Sequence, residues 1–339
     1  MKKIILSLFC ILLLQGCKEK IKKEQPLVSY LETASVEVLD EELKLILNPE
    51  DKLEILAEGH DWTEGPLWID THKMLLFSDI PRNSVYSWNE KTGTQLYLSP
   101  SGFTGENFEG SEPGANGLLL DPDGHLVLCQ HGNRQVVKMD SPLKNPQANF
   151  IPLVDLYQGK KLNSPNDAVF DSKGNLFFTD PPYGLPQQMD DKSKELNFQG
   201  VFKSDLKGNI TLIDSTLSRP NGIAFSPDEK RLFVANSDPN NAIWVVYELD
   251  KEGTVLVKKT FFDTTHLTSK EKGLPDGLKI NKKGYLFATG PGGVFIFNPN
   301  GKHLGTIKTG QATSNVALNN NENELFITAD SYVLKLNLY

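Results

Sequence analysis

The sequence predicts an all-β fold, a six-bladed β-propeller. One segment recurs along the chain, its copies fall at blade-sized intervals, and no stretch suggests a helical domain. Each copy has the pattern of a strand, a tight turn of Asp, Asn, Pro and Gly, and a second apolar strand, and further strands follow several copies. Four-stranded sheets repeated around an axis are the blades of a propeller.

Four copies of the segment are plain, and two weaker ones flank them. Their first polar residues are Glu64, Asn116, Asn166, Asn221, Asp276 and Asn315, called the ring residues below. The steps between them are 52, 50, 55, 55 and 39 residues, blade-sized except for the last. Too little chain follows Asn315 for four strands. The last blade is therefore predicted to borrow a strand from upstream of the first, Leu53 to Leu56, which would join the ends of the ring and remove an open edge.

The first residues predict an export signal. Lys2 and Lys3 precede an apolar run of 11 residues, Ile4 to Leu14, which is too short to span a bilayer. Cys17 then follows a small residue, as in the lipobox of bacterial lipoproteins. We expect a lipoprotein-type signal peptide over residues 1–16 and lipid on Cys17, which would anchor the protein at a bacterial membrane, periplasmic or cell-surface. A plain cleaved signal peptide is the alternative.

The remaining chain divides into two parts. Residues 17–50 are predicted to be a charged tether and an extension on the outside of the ring, and residues 51–339 to be the propeller. Cys129 is then the one cysteine of the folded part, which excludes an intramolecular disulfide and a cysteine-type zinc site. Its apolar surroundings predict a buried structural thiol. A formal net charge of −8 argues against nucleic acid as a partner.

The ring residues are predicted to converge on the propeller axis, because the innermost strand of every blade lines it. Asn-Gly and Asp-Gly are common turn formers, so any one of them alone could be a turn residue. All six are carboxylates or amides in register, however, and each repeat has its turn elsewhere. Carboxylates from Glu64 and Asp276 with amides from Asn166 and Asn221 make an all-oxygen cage for one divalent cation. Flexible coordination favours Ca²⁺ over Mg²⁺.

These motifs resemble the senescence marker protein/gluconolactonase family, which includes regucalcin, over about residues 53–339. They are Glu64-Gly-Pro-Leu-Trp68, Ser164-Pro-Asn166-Asp167, Arg219-Pro-Asn221-Gly222 and Leu274-Pro-Asp276-Gly277, with Asn116-Gly117 and Cys129-Gln-His131-Gly-Asn-Arg134 matching the bacterial gluconolactonase branch. The resemblance implies a metal-dependent lactonase acting on a small-molecule lactone, with Zn²⁺, Mn²⁺ or Mg²⁺ as alternatives to Ca²⁺. Glu64, Asn221 and Asp276 match the family's metal ligands, and Asn166 matches a position that ligates metal or contacts substrate.

The resemblance also bears on catalysis and specificity. Asp276 matches the residue usually proposed as the acid/base group, and we expect Asn116, His131 and Asn166 to contact substrate. Ser164 stands where regucalcin-like members carry a substrate-binding arginine, so the substrate is open. A phosphotriesterase using the same cage and a non-catalytic ligand-binding propeller are the alternative functions. The chain lacks a Gly-x-Ser-x-Gly motif, which argues against serine-esterase chemistry.

Overall fold

The structure is a computed structural model that describes residues 28–339. Six antiparallel sheets, five of four strands and one of five, form the blades, which confirms the predicted six-bladed propeller. The predicted signal peptide, Cys17 and the tether up to residue 27 lie outside the described residues, so lipidation stays a prediction. No helix within residues 28–339 is long and apolar enough to cross a bilayer.

The first three blades follow one another along the chain. Two strands come before them: β1 (Ser35–Val38) and β2 (Glu54–Ala57). Blade 1 contains β3 (Thr63–Ile69), β4 (Met74–Asp79), β5 (Ser84–Asn89) and β6 (Gly93–Leu98). Blade 2 contains β7 (Ala115–Leu120), β8 (Leu126–Gln130), β9 (Gln135–Met139) and β10 (Phe150–Val154). A small hairpin, β11 (Leu156–Tyr157) and β12 (Lys160–Lys161), leads to blade 3, which contains β13 (Ala168–Phe170), β14 (Leu176–Asp180), β15 (Gly200–Ser204) and β16 (Ile210–Asp214).

The second half of the ring repeats the pattern. Blade 4 contains β17 (Pro220–Phe225), β18 (Arg231–Asp238), β19 (Asn241–Leu249) and β20 (Val255–Asp263). Blade 5 contains β21 (Leu278–Ile280), β22 (Leu286–Gly290), β23 (Gly293–Phe297) and β24 (His303–Lys308), and blade 6 begins with β25 (Thr313–Leu318), β26 (Glu324–Ala329) and β27 (Tyr332–Asn337). The 3-10 helices are Glu41–Leu45, Asp70–His72, Gln188–Asp190 and Thr265–Leu267.

The two ends of the described chain meet in blade 6. Strand β2 pairs antiparallel with β27, with Glu54 opposite Lys335 and Ile55 opposite Leu334. This is the borrowed strand that the count of repeats predicts, one residue further along the chain than expected. Blade 6 therefore has four strands, and its outermost strand comes from upstream of blade 1.

Residues upstream of β2 lie on the outer rim. Strand β1 pairs with β24 and gives blade 5 a fifth strand, which the sequence analysis does not predict. The 3-10 helix Glu41–Leu45 follows, and Leu43 and Leu47 are fully buried in the apolar cluster between blades 5 and 6. This segment therefore covers the outer edge of blade 5.

Apolar side chains between neighbouring blades hold the ring together. Six apolar clusters are found, and each joins two adjacent blades. Leu76 and Val85 of blade 1, for example, pack with Leu118 and Leu128 of blade 2. Cys129 is fully buried in the cluster between blades 2 and 3, which confirms its prediction as a buried thiol. Such contacts stabilise the fold mainly by removing apolar surface from water, which contributes about 25 cal/mol of free energy per Å² buried.

The glycine after a ring residue allows the next blade to approach closely. A Cβ on Gly222 would lie 2.3 Å from the backbone oxygen of Asp276, and one on Gly65 would lie 2.1 Å from that of Asn116. Distances this short to backbone atoms of a packed strand leave no room for a side chain. The Asn-Gly and Asp-Gly pairs could have formed turns. Their glycines instead lie where the inner strands of neighbouring blades approach closely.

Candidate active site and metal centre

The ring residues surround one end of the propeller axis. Five of them, all except Asn315, line a cavity of about 440 Å³. Each lies at the start of an inner strand or just before it, and the inner strands of successive blades lie side by side around the axis. A second cavity, of about 510 Å³, lies at the opposite end of the inner strands and is lined mainly by aliphatic residues. The polar groups that the repeat pattern aligns thus share a single cavity.

Hydroxyl groups of one blade fix the ring residues of the next. Ser78 Oγ donates to the backbone oxygen of Asn116 (2.8 Å), and Thr179 Oγ1 donates to that of Asn221 (2.7 Å). Both hydroxyls are buried and lie on the second strand of the preceding blade. The backbone of a ring residue is therefore set by two blades, which makes the site rigid.

Three oxygen atoms in this cavity have no hydrogen-bond partner among residues 28–339. They are the buried Oδ1 atoms of Asn116, Asn221 and Asp276. The Asn221 Nδ2 donates to Ser237 Oγ (3.0 Å), which leaves Oδ1 as the free end of that amide. Because buried polar atoms in folded proteins are nearly always paired, three free oxygens at one cavity indicate a bound partner. Oxygen ligands of this kind suit a hard cation such as Ca²⁺.

Glu64 is held in place by Asn315. Its Oε2 accepts hydrogen bonds from the Gly65 backbone N–H (2.9 Å) and from Asn315 Nδ2 (3.1 Å). The other end of the Asn315 amide accepts from the Val316 N–H (2.9 Å), so both ends of this amide are engaged and Asn315 positions Glu64. Burial raises the pKa of Glu64 to about 7, although both hydrogen bonds act in the opposite direction.

Asp276 is the second carboxylate at the axis. Burial raises the pKa of its carboxyl well above the usual range, and the nearby Glu64 carboxylate raises that pKa further. A hydrogen bond from Asn221 acts the other way. Two neighbouring carboxyl groups in a buried site raise each other's pKa. A cation placed between them would stabilise both in the ionised form.

Ser164 supports the cavity wall from behind. Its hydroxyl donates to the backbone oxygen of Pro181 (2.6 Å) and accepts from the Gly184 N–H (2.9 Å), and the residue is fully buried. These bonds fix the turn that carries Tyr183, which does line the cavity. Where the resemblance implies an arginine in regucalcin-like members, this chain therefore has a residue that shapes the wall and adds no charge.

Two further acidic residues of the cavity were not predicted from the sequence. Glu112 and Glu271 line it together with Glu64 and Asp276, and none of the described residues in the lining is Lys, Arg or His. Glu112 comes from the long connection between β6 and β7, and Glu271 from the segment before β21. Neither belongs to a repeated motif, so the pattern that found the ring residues could not find them. The described lining therefore has four carboxyl groups and no cationic side chain.

His131, which the sequence analysis expects to contact substrate, does not line the cavity. It is fully buried, and its Nδ1 lies 3.0 Å from Oε2 of Glu112, at an angle that does not make a hydrogen bond. Asn116 and Asn166, the other two expected substrate contacts, both line the cavity.

A separate acidic cluster lies on the turn after β7. Ligand atoms of Asp121, Asp123 and His125 lie within 4.8 Å of one another, and two of these residues are exposed. Oδ1 of Asp121 accepts from the backbone N–H of Asp123 (3.0 Å) and of His125 (2.8 Å), as expected for a turn residue. This cluster is the turn of the repeat and is distinct from the cavity.

This chain is similar to known proteins in both sequence and structure. A family model described as "SMP-30/Gluconolactonase/LRE-like region" matches residues 62–331. A gluconolactonase of Zymomonas mobilis is 41% identical over 308 residues, which cover 87% of this chain and 83% of that protein. The structure of a gluconolactonase from Xanthomonas campestris aligns with a TM-score of 0.79 at 28% identity and covers 92% of this chain and 97% of its own. A calcium-binding regucalcin from Agrobacterium tumefaciens, at 17% identity and a TM-score of 0.63, shares the fold.

Proposed function

The chain belongs to the SMP-30/gluconolactonase/LRE-like family, and on this premise we propose that it hydrolyses sugar-type lactones with one divalent cation bound in the axial cavity. One observation carries the proposal. Two buried carboxylates and the free oxygens of Asn116 and Asn221 converge in a single cavity of a chain that closely resembles a gluconolactonase.

The residues at the axis fit a hard cation. Glu64, Asn166, Asn221 and Asp276 would hold it, and a set made only of oxygens favours Ca²⁺. The free oxygen of Asn116 makes this residue a further candidate ligand or a substrate contact. When bound, such a cation polarises a carbonyl group and makes a water molecule more acidic.

Asp276 has the position and chemistry of the acid/base group. Lactone hydrolysis forms a bond between a water oxygen and the carbonyl carbon, and it breaks the ring C–O bond. The Asp276 carboxylate takes a proton from the attacking water and returns it to the leaving alkoxide, which gives a hydroxy acid. Burial raises the pKa of this carboxyl in the metal-free protein, whereas a bound cation would favour the ionised form that can take a proton. The amides of Asn116 and Asn166 orient the substrate.

The charge of the cavity restricts the substrate. Four carboxylates line the cavity, and a single divalent cation neutralises only two of them. An uncharged lactone can enter such a site, whereas a phosphorylated lactone is repelled. The product of hydrolysis is a carboxylate, so the same field favours its release. We therefore propose an uncharged sugar lactone as the substrate class.

Assays with and without metal test this function. The purified protein should hydrolyse glucono-δ-lactone, after subtraction of spontaneous hydrolysis, more efficiently than a phosphotriester. It should hydrolyse the phosphorylated lactone at least roughly 100-fold less efficiently than the neutral one. Chelation should abolish turnover, and added Ca²⁺ should restore it. Full activity in protein shown by elemental analysis to lack metal would contradict the metal proposal, and a preference for the phosphotriester would contradict the lactone proposal.

The raised pKa of Glu64 predicts how the stability of the metal-free protein depends on pH. The folded state keeps the Glu64 proton up to about pH 7, whereas an unfolded chain releases it near 4.5. Since the folded state binds more protons in this window, its free energy of unfolding falls as pH rises from about 4.5 to 7, by roughly 3 kcal/mol. Thermal unfolding in chelator across this range measures the effect. Saturating Ca²⁺ should remove the contributions of Glu64 and Asp276. Glu64→Gln should reduce the trend by the Glu64 contribution alone, because burial also raises the pKa values of the Asp276 and Asp180 carboxyls, which act in the same direction. The same pH dependence in wild type and in Glu64→Gln would show that Glu64 is ionised in the metal-free fold.

A further inference from the structure

Glu112 is fixed in the cavity wall by the connection that carries it. This connection runs from the end of β6 to the start of β7, and its end is anchored to two blades. The Gly114 N–H donates to the Ile80 oxygen of blade 1 (3.0 Å), and the Gly114 oxygen accepts from the His131 N–H of blade 2 (3.1 Å). Two residues before this double anchor, Glu112 lines the cavity with a side chain that is 27% exposed.

His131 lies behind the Glu112 carboxylate. Its side chain is completely buried, and its Nδ1 is 3.0 Å from Glu112 Oε2. The Tyr183 turn closes over it, since a Cβ on Gly184 would lie 2.7 Å from the His131 Cβ. Both ring nitrogens of His131 lack a hydrogen-bond partner in the described residues. The imidazole is thus enclosed, and the Glu112 carboxylate lies against its Nδ1.

The chemistry of Glu112 limits what it can bind. An ionised carboxylate only accepts hydrogen bonds. The lactone group itself cannot donate a hydrogen bond to Glu112, because its carbonyl oxygen and its ring oxygen are both acceptors. The hydroxyl groups of a sugar lactone are donors, and a hydrogen bond from one of them to Glu112 is charge-assisted. Glu112 is also outside the set of ring residues that would hold the cation, so its acceptor oxygens are available to substrate.

We propose that Glu112 is a substrate-binding residue that accepts a hydrogen bond from a hydroxyl of a polyhydroxylated lactone. We further propose that His131 is a positioning residue, whose buried imidazole packs against that carboxylate and limits where it can lie. The proposal rests on the proposed function and deepens it. It assigns the preference for hydroxylated over plain lactones to this pair. Glu271, an exposed acid of the same cavity without a histidine behind it, offers a matched control.

The first test compares two lactones of the same ring size. Glucono-δ-lactone carries hydroxyls, and δ-valerolactone does not. Glu112→Gln should lower kcat/KM for glucono-δ-lactone about 10- to 100-fold, the usual loss for one charge-assisted hydrogen bond, and should leave δ-valerolactone within about threefold of wild type. Glu271→Gln should change neither substrate by more than about threefold. An equal loss on both lactones, or no loss on either, overturns the proposal.

A binding measurement separates this proposal from the proposed function. The lactam analogues of the two lactones keep the ring and its hydroxyls but resist hydrolysis, so calorimetry can measure their Kd in every variant. Glu112→Gln should weaken binding of the hydroxylated lactam at least about tenfold and leave the plain lactam unchanged. If wild type binds the hydroxylated lactam through Glu112 yet hydrolyses no lactone, the proposed function fails and the assignment of Glu112 stands. If Glu112→Gln binds both lactams as wild type does, the assignment fails whatever the enzyme hydrolyses.

The role of His131 is tested by coupling. His131→Gln should reduce kcat/KM for glucono-δ-lactone but not for δ-valerolactone, and it should add little to the loss in a Glu112→Gln background. A histidine that only fills space would lower the activity on both lactones and would add fully to Glu112→Gln. Should His131→Gln fail to fold, Glu112→Asp tests the same point. A shortened carboxylate that has lost its place against the imidazole should lose the hydroxyl preference, and full retention of that preference would contradict the positioning role.

Discussion

Asp276→Asn is expected to lower kcat for glucono-δ-lactone by about a thousandfold or more while the protein stays folded. The amide has the size of the carboxyl group but cannot accept the proton of the attacking water, and general acid/base groups contribute about 10²- to 10⁴-fold. The substitution also removes one of the two carboxylates at the axis, so the affinity for Ca²⁺ should fall. Steady-state assays at saturating Ca²⁺ and calorimetric Ca²⁺ titration measure the two effects separately.

Two controls accompany this variant. Glu271→Gln removes an acid from the rim of the same cavity and should retain activity within about threefold of wild type. The metal-free Asp276→Asn protein should be at least as stable as metal-free wild type near neutral pH. The substitution puts a neutral amide in place of a buried carboxyl group whose charged form is unfavourable there. Full activity of Asp276→Asn in the presence of Ca²⁺ would remove Asp276 from the mechanism.

Gly222→Ala is expected to destabilise the fold by roughly 3 kcal/mol or more and to abolish Ca²⁺ binding. The new methyl group would lie 2.3 Å from the backbone oxygen of Asp276 and 2.7 Å from the Cα of Gly277. Both atoms belong to the backbone of the next blade, so a rotamer change cannot relieve the contact. The displacement would separate Asn221 from Asp276, two of the expected ligands. Chemical denaturation and calorimetry provide the measurements.

Gly208→Ala is the matched control for this substitution. Gly208 lies in an exposed turn of blade 3, and a Cβ there meets nothing within 4 Å. Its φ of +79° makes alanine unfavourable by about 1 kcal/mol, with no reason for an effect at the axis. If Gly222→Ala costs no more than this control and binds Ca²⁺ normally, the inner strands are less tightly packed than the geometry indicates.

The ring of blades and its axial residues could be predicted because they repeat. A feature that recurs at a fixed place in each of six hairpins is visible in one sequence, even when a single Asn-Gly would be ambiguous. The borrowed strand β2 followed from counting, since the chain after Asn315 is too short for a full blade. Propeller symmetry then brings Glu64 and Asp276 to one cavity, although 212 residues separate them in the sequence.

What could not be predicted occurs only once in the chain. Glu112, Tyr183 and Glu271 reach the cavity from connections whose paths depend on tertiary anchors such as those of Gly114. The role of Ser164 was equally hidden, because a serine in place of an arginine gives no sign of the turn that its hydroxyl fixes. Strand β1 covers the outer edge of blade 5 by pairing with β24. Its four residues alternate between exposed and half-buried positions, and this short pattern does not indicate which sheet edge the strand will join.

The pairing of β2 with β27 has a consequence for synthesis on the ribosome. Strand β2 emerges among the first segments of the chain, but its partner is among the last, since Glu54 pairs with Lys335. Until then β2 has an unpaired edge, and blade 6 has no sheet to complete. Forming this contact requires closing almost the whole chain into a loop, which is slow compared with local hairpins. The ring therefore cannot close at blade 6 until the segment around Lys335 is available.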